Sequence, residues 1–190
     1  VQAGDHILVT KGIPLEGTAI LADDFTSTAL RLGLTEADLA EARELMGQVS
    51  VIPEAMILAQ LGASAMHDVT RGGLLETLLE MASLSKVRIR IDYEKIPMPA
   101  VGNRFAEAFG FDPLRMISSG TLAAALPPEK AAKARAALEE AGISFADIGA
   151  AEAGEGVRIE GRGEVREYRD VQPEADELAR IWEVYAPDEG

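Results

Sequence analysis

The 190-residue sequence predicts an α/β or α+β domain, a mixed β-sheet with helices packed on it. Three observations carry that prediction. Residues 87–93 (VRIRIDY) alternate cleanly, with Val87, Ile89 and Ile91 on one side and Arg88, Arg90 and Asp92 on the other, the period of a strand with one buried face. After Gly73, the residues Leu74, Leu75, Leu78, Leu79, Met81 and Ala82 make the broad apolar stripe of a helix that packs on a sheet. Strand and helix patterns then alternate along the chain, with a hairpin late on.

The elements follow in order. Ile7–Thr10 is a short β-branched run that ends at Lys11-Gly12, a first strand. Beyond Pro14 and Gly17, residues 18–25 read as a helical turn or two. Thr35 is an N-cap with Asp38 three places on, opening a helix to about Met46. Pro53 suits the first turn of another helix running to Leu61. Residues 63–67 read as a short buried strand or its equivalent, and Gly110 ends a helix that follows the turn at 96–99. Thr121–Leu126 is an apolar strand stopped by Pro127-Pro128, with an alanine-rich helix from Glu129 to Ala141. Residues 143–148 suggest a further strand, and 157–159 with 165–168 a hairpin turning around Gly161 and Gly163. A last helix runs from Glu174 to about Tyr185, with a frayed tail at 187–190. No repeat or linker is evident, so 1–190 reads as one domain with a tail at 183–190.

Composition narrows the function. With 18 basic and 32 acidic side chains, the formal charge of −14 argues against a nucleic-acid surface. The acidic runs at 36–44 and 174–183 read as solvated helix faces, and no exposed apolar stripe stands out. Cysteine is absent, which removes disulfides, thiolate metal sites and cysteine nucleophiles. Two histidines, His6 and His67, are too few for an imidazole zinc site. There is no secretory signal and no membrane-length apolar run, so a cytoplasmic location is expected. The chain opens at Val1 and reads as a processed or excised piece.

The chemistry concentrates in residues 67–74, HDVTRGGL, a strand–turn–helix junction. Gly72 and Gly73 leave the backbone open to close approach, at a helix start whose free N–H groups and dipole favour an anion. Thr70 can cap that helix or offer its hydroxyl, Arg71 can meet a phosphate, and Asp68 can cap the turn or face a cation such as Mg²⁺. The residue types alone fit an ordinary capped turn as well as a ligand site, and the pattern is not the GxxxxGK[ST] phosphate loop. Two further candidates are the hydroxyl loop Ser118, Ser119 and Gly120, and Lys11 at the end of the first strand. His67, alone at a strand end, reads as a satisfied structural group.

Taken in order, residues 4–21, 67–82 and 96–126 resemble the carboxy-terminal domain of the aminoimidazole ribonucleotide (AIR) synthetase, or PurM, superfamily. Within it the likeness is nearest to hydrogenase-maturation proteins of the HypE kind, with thiamine monophosphate kinase and selenophosphate synthetase more distant. HDxTxGGL followed by GxDPL at 110–114 and a serine/glycine loop is a specific combination. The resemblance implies a three-layer α/β/α domain with a mixed sheet, normally preceded by an amino-terminal domain that supplies much of an ATP and Mg²⁺ site and most of a homodimer interface. It implies that Asp68, Thr70, Gly72 and Gly73 line the cleft between the domains, with Lys11 and Ser118, Ser119 and Gly120 as neighbours, and that the half present here is inactive by itself. Hydrogenase-maturation proteins are the partners it implies. One departure is plain: a terminal Arg-Ile-Cys of that kind aligns with Arg180-Ile181-Trp182, and this chain continues without a cysteine.

Overall fold

A computed structural model of the chain describes residues 1–171, 175–185 and 187. Seven strands form one mixed sheet: β1 (His6–Thr10), β2 (Ala65–Asp68), β3 (Arg88–Asp92), β4 (Leu122–Leu126), β5 (Phe145–Glu152), β6 (Gly156–Gly161) and β7 (Glu164–Tyr168). Their order is β2-β4-β1-β5-β3-β6-β7, antiparallel throughout except for the parallel pair β3 and β6. The helices are α1 (Glu16–Asp24), α2 (Thr26–Arg31), α3 (Glu36–Glu44), α4 (Ile52–Leu61), α5 (Gly73–Ser85), α6 (Ala100–Phe109), α7 (Pro128–Glu140) and α8 (Glu177–Val184).

The alternation read in the sequence sets the layers. Ile7, Val9, Ile89, Ile91, Val157 and Ile159 face α5, whose Leu74, Leu75 and Leu78 are fully buried against them. Each such leucine contributes roughly 1.5–3 kcal/mol by leaving water. On the opposite face Leu8, Leu122, Ala124 and Leu126 meet Leu58 of α4 and Ala134 and Leu138 of α7. Strand β4 (LAAAL) is buried at all five positions, because it lies between β2 and β1 with helices over both faces. A third cluster, built on Phe25, Phe105, Phe109 and Ile181, ties α1, α2, α3 and α6 to α8. No helix among the described residues is long and apolar enough to cross a membrane.

Several boundaries differ from the sequence reading. The turn or two at 18–25 is α1, followed directly by α2, which short polar Thr26-Ser27-Thr28 had hidden. The Thr35 cap is a full capping box with Asp38, but α3 stops at Glu44 and tightens into a 3-10 turn over Leu45–Gln48. The suggested strand at 143–148 is displaced and longer, reaching Glu152, because it pairs with both β1 and β3. The expected helix start at Glu174 and the tail residues 188–190 lie outside the described residues, and α8 is described from Glu177.

Candidate functional site

Strand β2 is an edge strand, and its last residue is Asp68. The chain leaves the sheet there because Val69 turns inward, its N–H donating to the Thr121 carbonyl at 2.9 Å while its own carbonyl accepts from Ser118 N at 3.2 Å. HDVTRGGL and the serine/glycine loop are therefore stitched side by side. Asp68 remains 54% exposed in its side chain. Thr70 is half-buried and Arg71 is exposed, and among the described residues Arg71 has no hydrogen-bond or ion-pair partner. With Gly72, His67, Glu76, Thr77, Glu80 and Val171 they line an open pocket of about 220 Å³. His67 offers Nδ1 to the Asp68 carbonyl at 2.6 Å and Nε2 to Glu80 at 3.0 Å, the satisfied position expected of it.

The glycines are needed for reasons that the sequence did not show. Gly73, at φ +69°, abuts the 110–114 motif: a Cβ there would lie 2.5 Å from the Leu114 carbonyl oxygen and under 3 Å from the Arg115 backbone. Gly72, at φ +78°, would place a Cβ 2.7 Å from Cβ of Glu76. The close approach is thus the protein's own. Neither Asp68 nor Thr70 caps α5; the N-cap position is Gly72, and its N–H donates at 2.8 Å to Oδ2 of Asp176, a carboxylate only 5% exposed. Asp176 and Glu177 belong to the acidic run read as a solvated face. The structure turns both inward, because each satisfies backbone N–H groups: Asp176 those of Gly72 and Ala179, Glu177 that of Asp112.

The other two candidates sit behind this ledge. Ser118 is fully buried, accepting from Leu15 N at 2.8 Å and donating to the Gly12 carbonyl. Ser119 is half-buried beside it. Gly120, at φ +102°, lies so close to Gln48 and Val49 that any side chain would strike their backbone. Lys11, itself left-handed at φ +57°, directs Nζ to the carbonyls of Gln48, Ser50 and Gly120 at 2.9, 2.6 and 2.7 Å and to Oε1 of Glu54 at 2.7 Å. Glu54 is 1% exposed. The Lys11 ammonium is fully occupied inside the chain, fastening the 3-10 turn and the start of α4 to the serine/glycine loop.

Beside that knot lies an apolar rim that the sequence did not reveal. On α4, Ile52 is 70% and Met56 57% exposed, and Met46 and Val49 are open nearby. A helix with apolar residues on every side gives no periodicity from which to tell the covered face from the open one. Among the described residues no group of three or more His, Asp or Glu stands close enough to hold a metal ion.

The family model for AIR synthase related protein, C-terminal domain, matches residues 2–162. Carbamoyl dehydratase HypE of Rhizobium leguminosarum bv. viciae is 34% identical over 139 residues, 72% of this chain but 37% of that protein. Among solved structures, E. coli HypE superposes with a TM-score of 0.74 at 29% identity, covering 95% of this chain and 53% of that one. A HypE structure in complex with ATP superposes with a TM-score of 0.70 at 25% identity, covering 91% and 53%. The chain thus spans about half the length, or less, of the relatives it matches.

Proposed function

Because this chain belongs to the family of AIR synthase related carboxy-terminal domains, we propose that it forms one wall of a nucleotide and substrate cleft in an ATP-dependent protein of the HypE kind. The carrying observation is the ledge at the end of β2, where Thr70 and Arg71 face an open pocket and Asp68 stands exposed beside it, while the adjoining backbone is pinned to the serine/glycine loop. In this reading Arg71 meets phosphate oxygens, Thr70 offers its hydroxyl, and Asp68 contributes one carboxylate toward a nucleotide's Mg²⁺. Gly72 and Gly73 shape the ledge, and Lys11, Ser118, Ser119 and Gly120 brace it from behind. A lone Asp68 fits a magnesium ion that takes its other oxygens from phosphates, water and a second domain, not one held by this chain alone.

The cleft then needs its other half. We place a companion amino-terminal domain against the rim of Met46, Val49, Ile52 and Met56, apolar surface continuous with the Gln48–Gly120 contact behind the ledge. Alone, the chain binds nucleotide weakly and turns nothing over; joined to its companion it forms a homodimer that works in the cytoplasm with hydrogenase-maturation proteins. The test is calorimetric titration of ATP with Mg²⁺ into the chain and into the longer protein that carries it. An Asp68→Ala, Arg71→Ala pair should weaken binding roughly tenfold or more, the loss of one or two charge-assisted hydrogen bonds. Unchanged affinity sinks the assignment.

A second reading is favoured by one observation. None of the 190 residues is a cysteine, so they supply no thiol to a terminal-cysteine reaction, and in this second reading the fold serves as a nucleotide-binding or partner-binding module without catalysis. Turnover of ATP by the longer protein separates the two.

A further inference from the structure

We propose that Asp176 couples the seating of α8 to the conformation of the 68–73 ledge, so that the two order and loosen together. One carboxylate serves two helix starts far apart in sequence: Oδ2 accepts from Gly72 N and Oδ1 from Ala179 N, both at 2.8 Å. Only a side chain with two acceptor oxygens meets both N–H groups; asparagine keeps one and alanine neither. The burial of Asp176 makes the loss costly, because an N–H left unpaired away from water forfeits its hydration as well.

A second path runs in parallel. Glu177 accepts from Asp112 N at 3.1 Å, and Asp112 in turn caps the 3-10 turn of residues 113–115 by accepting from Leu114 N at 3.0 Å. That turn is the backbone against which Gly73 is seated. The first residue of α8 therefore holds the floor under Gly73 while Asp176, just before it, holds Gly72 from above. Other contacts of α8 and of the residue after it lie away from the ledge: Arg180 donates to the Gly110 carbonyl at 2.9 Å, Ile181 is fully buried, Trp182 meets Phe25 edge-on at 5.1 Å, and Tyr185 meets Phe109 at 5.6 Å. Unseating α8 through those aromatic contacts removes both holds on the ledge without touching it.

Hydrogen exchange tests the coupling without any ligand. In a Trp182→Ala, Tyr185→Ala variant, amides of residues 72–75 should exchange at least tenfold faster than in the parent, with β1 and β4 amides unchanged. Asp176→Ala should do the same and Asp176→Asn should fall between. Unaltered exchange at 72–75 while α8 amides open overturns the coupling. If the double variant loosens β1 and β4 as well, the near-isosteric Asp176→Asn decides: parental exchange at 72–75 refutes it and faster exchange there supports it.

A second arm rests on the ledge as a nucleotide wall. Trp182 is the single tryptophan of the chain, so its emission reports α8 directly. Titrating ATP with Mg²⁺ should shift that emission with the same midpoint as the calorimetric heat. Heat without a shift overturns the link between ligand and α8. Absence of heat would instead strike the nucleotide reading, leaving the exchange measurement to judge the coupling.

Discussion

The Lys11 knot and the Asp68 ledge hold similar residue types, and the structure uses them in opposite ways. Both combine a cation, a carboxylate and nearby glycines at the end of a strand. In the knot, Lys11 Nζ meets three carbonyls and a Glu54 carboxylate buried to 1% exposure. On the ledge, Arg71 and Asp68 point outward, with the guanidinium unpartnered among the described residues. A charge that is fully satisfied within the fold contributes to architecture, and one left open at a rigid edge is available to a ligand. Residue type does not distinguish these fates; the supply of internal acceptors does.

The comparison can be broken most severely at the point where the two regions meet the rest of the fold. Gly73→Val forces a branched side chain into a left-handed backbone and against the Leu114 carbonyl. Strain and overpacking together should cost about 3–5 kcal/mol, read as a lower midpoint in urea; a wild-type midpoint would mean that the 113–115 turn yields easily. In the knot, Lys11→Met leaves Glu54 buried without its partner, an expected loss of roughly 3 kcal/mol or more. Adding Glu54→Leu should restore part of that loss. If Lys11→Met is neutral, the ammonium is not the fastening described here. The same denaturation applied to the Asp68→Ala, Arg71→Ala pair should move stability by only about 0.5 kcal/mol, since neither side chain is packed. A large loss there would erase the contrast between the regions.

The smallest effect concerns pH. Burial raises the Tyr93 phenol above its ordinary value, against the pull of the Arg162 guanidinium stacked 4.3 Å from its ring. A raised acid favours the neutral form in the folded state, so its contribution is intact below the unfolded value of about 10 and is lost as pH rises beyond it. Alkaline unfolding should therefore begin later in Tyr93→Phe than in the parent, with no difference between the two at neutral pH in the shape of the transition. Identical alkaline curves would show that another group governs that limb.

Much of the fold was legible from local pattern. VRIRIDY became β3 with Ile89 and Ile91 inward, Thr35 and Asp38 formed a capping box, and Gly110 closed α6 at φ +65°. The site was legible only as a location. HDVTRGGL, GFDPL and the serine/glycine loop do come together, yet the contact among them is backbone against backbone, through Gly73 on Leu114 and Val69 on Ser118 and Thr121. No residue type announces such a contact. The role of Asp176 was hidden for the same reason, in a run of acids that composition reads as solvent-facing.

By itself, then, the sequence determined the alternation of strands and helices, the covered faces of β3 and α5, the family likeness and the segment proposed for ligand chemistry. These depend on periodicity, caps and left-handed glycines, which act over a few residues. Tertiary structure alone decided that Lys11 turns inward, that Asp176 rather than Asp68 or Thr70 meets the start of α5, and that Ile52 and Met56 remain open. Those outcomes depend on which acceptors and which apolar faces arrive from elsewhere in the chain, and no local pattern encodes that supply.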